Sequence, residues 1–516
     1  MVCLRVRRIT IQEFFRKSPI HPFFLATYPI VSLLAFNISQ IYTNDALKPI
    51  LIALFSTAII LVVLRVISRD WQVAGLLTSM LAIWFFVYGH LYNQLKGLSL
   101  MGINIGRHRY LLVVWTAIIL AVTIWLVKKI RTNHNLTLGL NIASAILLSL
   151  SIIQVGAFHL RNLFYPQTPT TASEDALISW TNQSSLPDIY FIILDGYARS
   201  DALAQVEGID NTAFLDSLRQ LGFYVAGCSQ SNYTRTLLSL TSTFNMEYLQ
   251  ALNPQLKPDQ DTSWLVPYLK HSIVRQQLEQ LGYKTIVFQD PWEAWIWDDA
   301  AIVFRPTGSG VLSNFEYLLL STTVTRVYLD EREAESTKIA YYTNYVDTLY
   351  TLDQLQTVPS ISGPKFVFVH LMIPHAPFVF GPDGEYIDIQ PYDTVKNLYT
   401  AEDHKRGYTA AVAYINKRML EIIPKLIRES NTPPVIILAG DHGTGYSNTV
   451  TQNLEAFFTP ESQVTFYPDI SPVNIFRLLF ASYFNGNFGL LPDRSYFSAE
   501  GQYFNFKEIP DECEEH

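Results

Sequence analysis

The chain has 516 residues, 49% of them hydrophobic, and a formal net charge of −8. That length exceeds one ordinary domain, and the acidic balance argues against a nucleic-acid partner, because a phosphate backbone demands a basic surface. The three cysteines, Cys3, Cys228 and Cys513, show no CxxC or other metal-type spacing, which excludes a cysteine-ligated zinc module.

The charge is unevenly placed. Residues 1–163 carry fifteen Lys and Arg against only Glu13, Asp45 and Asp70, and the acidic excess lies in the remainder. Such a split points to two bodies in different environments. Apolar stretches at 22–42, 50–67, 72–93, 110–127 and 136–158 each approach the ~20 residues that span a bilayer core. Five in succession, joined by short polar breaks, predict an N-terminal transmembrane bundle over 1–163. The first is read as a span and not as a cleavable signal peptide, because four more spans follow at once.

The distribution of cations sets the orientation. With a cytoplasmic N-terminus, the inside segments hold Arg5, Arg7, Arg8, Arg16, Lys17, Arg65, Arg69, Lys128, Lys129 and Arg131, and the outside loops hold only Lys48, Lys96, Arg107 and Arg109. The expectation is a multi-pass plasma (inner) membrane protein whose residues after 160 are extracytoplasmic. In the loop 94–109, Arg107, His108 and Arg109 are expected to anchor at head groups; the sharper alternative is a cationic part of an anionic lipid site.

Residues 164–186 are polar and turn-rich, and read as a linker. From 187 to 516 the pattern is that of an α/β domain. Continuous apolar runs at 188–194, 284–288, 365–371 and 434–439 predict strands buried on both faces. Helical patterns at 211–221, 271–281, 340–355 and 401–428 alternate with them, which predicts a mainly parallel sheet with helices on both faces.

Ligands of such sheets gather beyond the carboxyl ends of the strands. Three apolar runs end there in ligand-type residues. Leu194 leads to Asp195, Val369 to His370 and on to His375, and Ala439-Gly440 to Asp441-His442. Two carboxylates and an imidazole suit one divalent ion, Zn or Mn ahead of Mg or Ca. Residues 229–240 pass from polar to apolar at helical spacing, so Thr234 or Thr236 falls near a helix N-terminus, where anions are favoured. A hydroxyl there, beside a cation, would be an activated nucleophile. The plainer reading is a helix cap.

In order, AspIleTyrPheIleIleLeuAspGlyTyr (188–197), the Thr-rich helix start, HisLeuMetIleProHisAlaPro (370–377) and AlaGlyAspHisGly (439–443) resemble landmarks of the alkaline phosphatase/sulfatase superfamily. With a helical membrane bundle in front, the likeness is to lipoteichoic acid synthases and lipid A phosphoethanolamine transferases. The resemblance implies an alkaline-phosphatase-like fold for 187–516. It implies Thr236 as nucleophile, since ThrArgThrLeuLeuSer (234–239) is similar to the transferases' Thr-x-Thr-x-x-Ser. It implies Asp195, Thr236, Asp441 and His442 around the metal, and His375 near the transferred group, with His370 supporting its strand end. A phospholipid donor and an envelope glycan or lipid acceptor follow from the same likeness. The alternatives are a sulfatase-like ester hydrolase and an inactive membrane sensor or scaffold. Two features depart from relatives. The Cys-x-Pro-x-Arg signature of aldehyde-using sulfatases is missing, since SerGlnSerAsn follows Cys228, and no histidine lies between His442 and His516. The second departure implies one permanent metal. Cys228 and Cys513 are able to pair in an oxidising compartment.

Overall fold

The computed structural model describes residues 16, 18–38, 40–100, 103–130, 135–164, 178–180, 186–289, 295–306, 312–387, 400–444, 448–460, 465–510 and 513. The chain forms two compact units, 1–164 with 310–336, and 165–309 with 337–516. Residues 310–336 thus group with the N-terminal helices and not with the α/β unit in which the sequence reading placed them. Most of the expected linker, 165–177 and 181–185, lies outside the described residues.

Among the described residues, the first unit contains the apolar helices α1 (His21–Phe36), α2 (Leu47–Ser68), α3 (Trp71–Leu95), α4 (His108–Ile130) and α5 (Asn135–Phe164). Among the described residues, four segments, Thr43–Ser68, Trp71–Leu95, His108–Lys129 and Asn135–Arg161, are long and apolar enough to cross a membrane; α1 has 16 residues and is shorter. The first expected span, 22–42, overlaps α1 over 22–36. Its helix stops at Phe36 because the Asn37 side chain turns back and donates to the Leu33 carbonyl, 2.8 Å away, a local bond that competes with helix continuation. At the other end of α1, Asn141 of α5 accepts from the backbone N–H groups of Ile20 and His21 at 3.0 and 2.8 Å, which satisfies donors that a helix start leaves open.

The outward faces of these helices are apolar. On α2, Leu51, Phe55, Val66 and Ile67 are all at least 66% exposed, as is Val113 on α4. A surface so rich in large aliphatic side chains is unstable against water and suited to hydrocarbon. The short helices Asn314–Ser321 and Arg326–Glu331 pack against this unit. Backbone bonds fix them to α3, with Gly89 N–H donating to the Thr322 carbonyl and Val324 N–H to the Phe85 carbonyl, both at 2.9 Å. Only glycine fits at 89, since a Cβ there would lie 2.3 Å from the Thr322 carbonyl carbon. His108 is held between the Tyr88 hydroxyl (2.8 Å) and the Asp330 carboxylate (3.0 Å), and stacks on Tyr92. Its side chain is thus committed to protein partners.

The second unit is built on a seven-stranded sheet. Its strands are β1 (Ile189–Leu194), β2 (Tyr224–Val225), β3 (Lys284–Phe288), β4 (Ile302–Phe304), β5 (Lys365–Leu371), β6 (Val435–Ala439) and β7 (Glu455–Phe458), in spatial order β2-β7-β6-β1-β5-β3-β4. Neighbours from β6 to β4 run parallel, and β7 pairs antiparallel with β6 and β2. Alternate residues of β1 feed two cores. Tyr190, Ile192 and Leu194 pack on one face, and Ile189, Phe191 and Ile193 on the other, as the twofold period of a strand requires. Helix α6 (Thr236–Asn245) covers the second face and α7 (Ala401–Glu429) the first. This is the mainly parallel, doubly covered sheet that the apolar runs predict.

Register then positions the site. Ile193 pairs with His370 on one side and Ala439 on the other. The carboxyl ends of β1, β5 and β6 therefore coincide, which brings Asp195, His370 and Asp441 to one edge.

Candidate metal centre

At that edge, ligand atoms of Asp195, His370 and Asp441 lie within 4.8 Å of one another. His370 Nε2 is 3.4 Å from Asp195 Oδ2. His442 Nε2 is 3.5 Å from Asp195 Oδ1 and 3.6 Å from Asp441 Oδ2. The other nitrogen of His442, Nδ1, is 2.8 Å from the Gly443 carbonyl. A carbonyl only accepts, so Nδ1 carries a proton and donates there, which leaves Nε2 as the nitrogen that faces the carboxylates.

The backbone holds these groups tightly. Asp195 N–H donates to the Leu371 carbonyl (2.9 Å), His375 N–H to the Asp195 carbonyl (3.1 Å), and Gly196 N–H to Asp441 Oδ1 (2.9 Å). Gly440 carries no side chain for a steric reason: a Cβ would sit 2.3 Å from the Tyr197 carbonyl oxygen. Its own carbonyl accepts from Asn453 Nδ2 at 2.6 Å, and that amide also donates to Glu455 Oε1 at 2.9 Å. Ser229 Oγ donates to the Asn453 carbonyl at 2.7 Å, and Ser231 N–H to the Thr451 carbonyl at 2.7 Å. The loop leading into α6 is thereby stitched to the loop that follows Asp441 and His442.

Burial alone would raise the Asp195 pKa. Three imidazoles, His375 foremost and then His370 and His442, outweigh it and hold the carboxyl well below the ordinary carboxylate range. Yet Asp195 Oδ1 and Asp441 Oδ2 are buried with no hydrogen-bond donor. Ionised carboxylate oxygens without donors are costly in a protein interior. A divalent cation satisfies both, and two carboxylates with an imidazole are ordinary ligands for it. The residues present fit such an ion.

Among the expected residues, Asp195, Asp441 and His442 are brought together. His370, expected to support its strand end, stands inside the ligand cluster, because the β1–β5 register sets it beside the last residues of β1. His375 is exposed, its ring 6.1 Å and nearly perpendicular from that of His442. Thr236 is the first residue of α6 and half-buried, after an extended Arg235 whose side chain makes no capping bond. Thr234 lies before the helix.

The sequence reading missed a neighbouring pair. Glu207, buried at the end of a π-helical turn over Leu203–Glu207, has Oε1 3.5 Å from His404 Nδ1 on α7 and 3.5 Å from the Thr444 hydroxyl. Burial lowers the His404 pKa; Glu207 opposes that shift and His375 adds to it. No local motif marks Glu207, since its partners are some 200 residues away in the chain.

Metal analysis of the purified full-length protein is expected to give about one equivalent of divalent ion, and Asp441→Ala to lose it, because removing a ligand from such a site usually abolishes binding. Full occupancy in Asp441→Ala would show the ligand set to be wrong. A second expectation concerns Glu455, which burial pushes well above 4.5 with only Asn453 opposing. The folded chain keeps a proton that an unfolded chain releases near 4.5, so stability drains as pH rises above that value. Glu455→Gln should therefore gain stability over the parent as pH increases in denaturant titrations. A difference that does not change with pH would mean that Glu455 folds ionised.

Comparison with known families matches residues 187–466 to the family described as Sulfatase. No curated protein matches the chain. Among solved structures, the C-terminal periplasmic domain of EptC from Escherichia coli, in complex with Zn, is 13% identical over 64% of this chain and 95% of that one, with a TM-score of 0.43. The integral membrane lipooligosaccharide phosphoethanolamine transferase A from Neisseria meningitidis is 12% identical over 86% and 88% of the two chains, at 0.34. An alkaline phosphatase superfamily protein from Vibrio parahaemolyticus is 10% identical over 65% and 80%, at 0.35. The family match spans more than half of the chain and takes in all three strand ends that carry the ligand cluster. On that ground, the chain belongs to the sulfatase family.

Proposed function

We propose that the protein is a membrane-embedded, metal-dependent transferase with an extracytoplasmic catalytic unit. It moves a phosphoethanolamine or phosphoglycerol group from a phospholipid, through Thr236, to an envelope glycan or lipid acceptor. The observation that carries this reading is the pair of buried, donorless carboxylate oxygens beside His370 and His442, in a chain whose other unit contains helices of membrane-spanning length. Asp195, Asp441, His442 and the Thr236 hydroxyl would hold the ion, with His370 in the same cluster as a further ligand candidate. When bound, the ion supplies positive charge that lowers the cost of the threonine alkoxide and of charge building on phosphate.

This chain's residues do the rest. The N-terminus of α6 offers open N–H groups to the phosphoryl oxygens. Thr236 Oγ attacks phosphorus, its proton leaves to solvent or a nearby base, and the bond to the glycerol oxygen breaks. His375, exposed beside the cluster, would give a proton to that leaving oxygen, which departs as diacylglycerol. An acceptor hydroxyl then attacks the phosphothreonine, and the threonine oxygen leaves with a proton. With water as acceptor, the same residues make a hydrolase.

An aldehyde-based sulfatase mechanism is disfavoured on two counts. The signature is missing, and Cys228 is joined to Cys513 with a Cα–Cα distance of 5.4 Å. A disulfide in a chain of this kind fits an oxidising compartment and so supports the extracytoplasmic placement.

Thr236→Ala should lower turnover by several orders of magnitude in folded protein, and Thr236→Ser should keep a measurable part of it, since the hydroxyl remains. Thr234→Ala should leave chemistry largely intact. An adduct mass on Thr236 after incubation with membrane lipids would name the transferred group. If Thr234→Ala abolishes turnover and Thr236→Ala does not, the nucleophile is Thr234; if neither matters, the covalent route is wrong. The orientation has its own test. In a Cys3→Ser background, Asp259→Cys, at an exposed position, should react with an impermeant thiol reagent on intact cells. Labelling only after lysis would reverse the topology.

A further inference from the structure

The helical unit contains a cavity of about 510 Å³, within the usual range of ligand sites. Its walls are apolar and come from four segments: Ile30 of α1, Ala53 of α2, Ala82 and Phe85 of α3, and Leu319 of the helix Asn314–Ser321. At its rim, Lys48 Nζ is 2.8 Å from Glu316 Oε1; the lysine side chain is 66% exposed and the glutamate 11%.

The cavity has built walls. Glu316 is fixed by a capping box with Ser313, each accepting from the other's backbone N–H at 2.9 and 3.1 Å. Phe315 and Leu319 are buried against Ile30, Leu34 and Ala46. The position along the helices also matters. Lys48 is the second residue of α2, and Phe85 lies in the second half of α3. Consecutive spanning helices alternate in direction, so the start of α2, the end of α3 and the end of α5 share one end of the bundle. The cavity therefore lies in the membrane leaflet on the side from which α5 leads into the rest of the chain.

We infer that this cavity takes one acyl chain of a glycerophospholipid, with the lipid phosphate at Lys48. At hydrocarbon depth there is no water to fill an open apolar space, so the solvent that enters is a lipid tail. Lysine at the head-group level is a point charge for phosphate, and its long stem lets the ammonium stay at the interface. Glu316, locked by its own cap, holds the ammonium over the mouth until phosphate draws it away. This deepens the proposed function by placing the donor's tail, and rests on that reading only for the identity of the lipid.

The test uses the full-length protein in bilayer nanodiscs of phosphatidylglycerol and phosphatidylethanolamine, doped with a phosphatidylglycerol bearing a photoactivatable acyl chain. Cross-links are expected to concentrate on peptides covering 48–60, 78–86 and 312–323. They should fall several-fold in Ala53→Phe and in Ala82→Phe, each of which fills the cavity, and less deeply in Lys48→Glu. Val113→Phe, on an outward face, should change nothing. Two filling variants from different helices guard against one that misfolds. Cross-linking spread evenly over all lipid-facing helices, or unchanged in both filling variants, would overturn the assignment. Cross-linking that persists with no Thr236 adduct supports the cavity and sinks the transferase reading. A Thr236 adduct from the lipid donor, unaltered in both filling variants, sinks the cavity assignment alone.

Discussion

Asp195 and Asp441 stand at the ends of adjacent strands, buried and with an oxygen each that no donor reaches. Much of the α/β unit is arranged around that arrangement of charge. Ionised carboxylates in a protein interior are tolerated only when paired or coordinated. For Asp195 the compensation comes from imidazoles, His375 foremost, then His370 at the end of β5 and His442 after β6. It works only because β1, β5 and β6 end level. A slip of one residue would turn Asp195 or His370 to the opposite face. The long-range bonds from Gly196 to Asp441 and from Asn453 to Gly440 hold the loops in that alignment.

The two units solve opposite solvent problems. In the α/β unit the large aliphatic and aromatic residues are inside, and strands such as β1 and β6 are wholly buried. In the helical unit many of them face out, and several polar residues are enclosed. His21 Nδ1 meets Ser79 Oγ at 2.6 Å, and Asn141 bridges α5 to the start of α1. Buried polar contacts of this kind join helices that lipid gives no hydrophobic reason to associate.

The features visible in the sequence were those written locally. Apolar runs of five to seven residues ending in Asp, His or Asp-His mark strands buried on both faces, and their ends mark the site. What was hidden depends on distance or on length. His370 enters the ligand cluster through a register that no local pattern encodes. Glu207 meets His404 and Thr444 only in the folded chain. The Asn37 side chain bonds back to the Leu33 carbonyl where α1 ends, a contact over which hydropathy averages. Cys228 and Cys513 were plausible partners, but a separation of 285 residues holds no pairing information.

The segment 310–336 was hidden for a further reason. Its helices have eight and six residues, far below the length of a span, so no hydropathy window responds to them. Their side chains nevertheless have the character of an interfacial element. Phe315 and Leu319 point into the helical unit, while Tyr317, Leu318 and Tyr328 are exposed. Tyrosines with a wet hydroxyl and an apolar ring favour the head-group level. Asp330 and Arg326 add polar groups at the same place, gripping His108 and facing Tyr92. An element of this kind at the membrane surface needs no span of its own. It needs one apolar edge to enclose lipid hydrocarbon and one charged group beside the phosphate, and Leu319 with the Lys48–Glu316 pair supplies both.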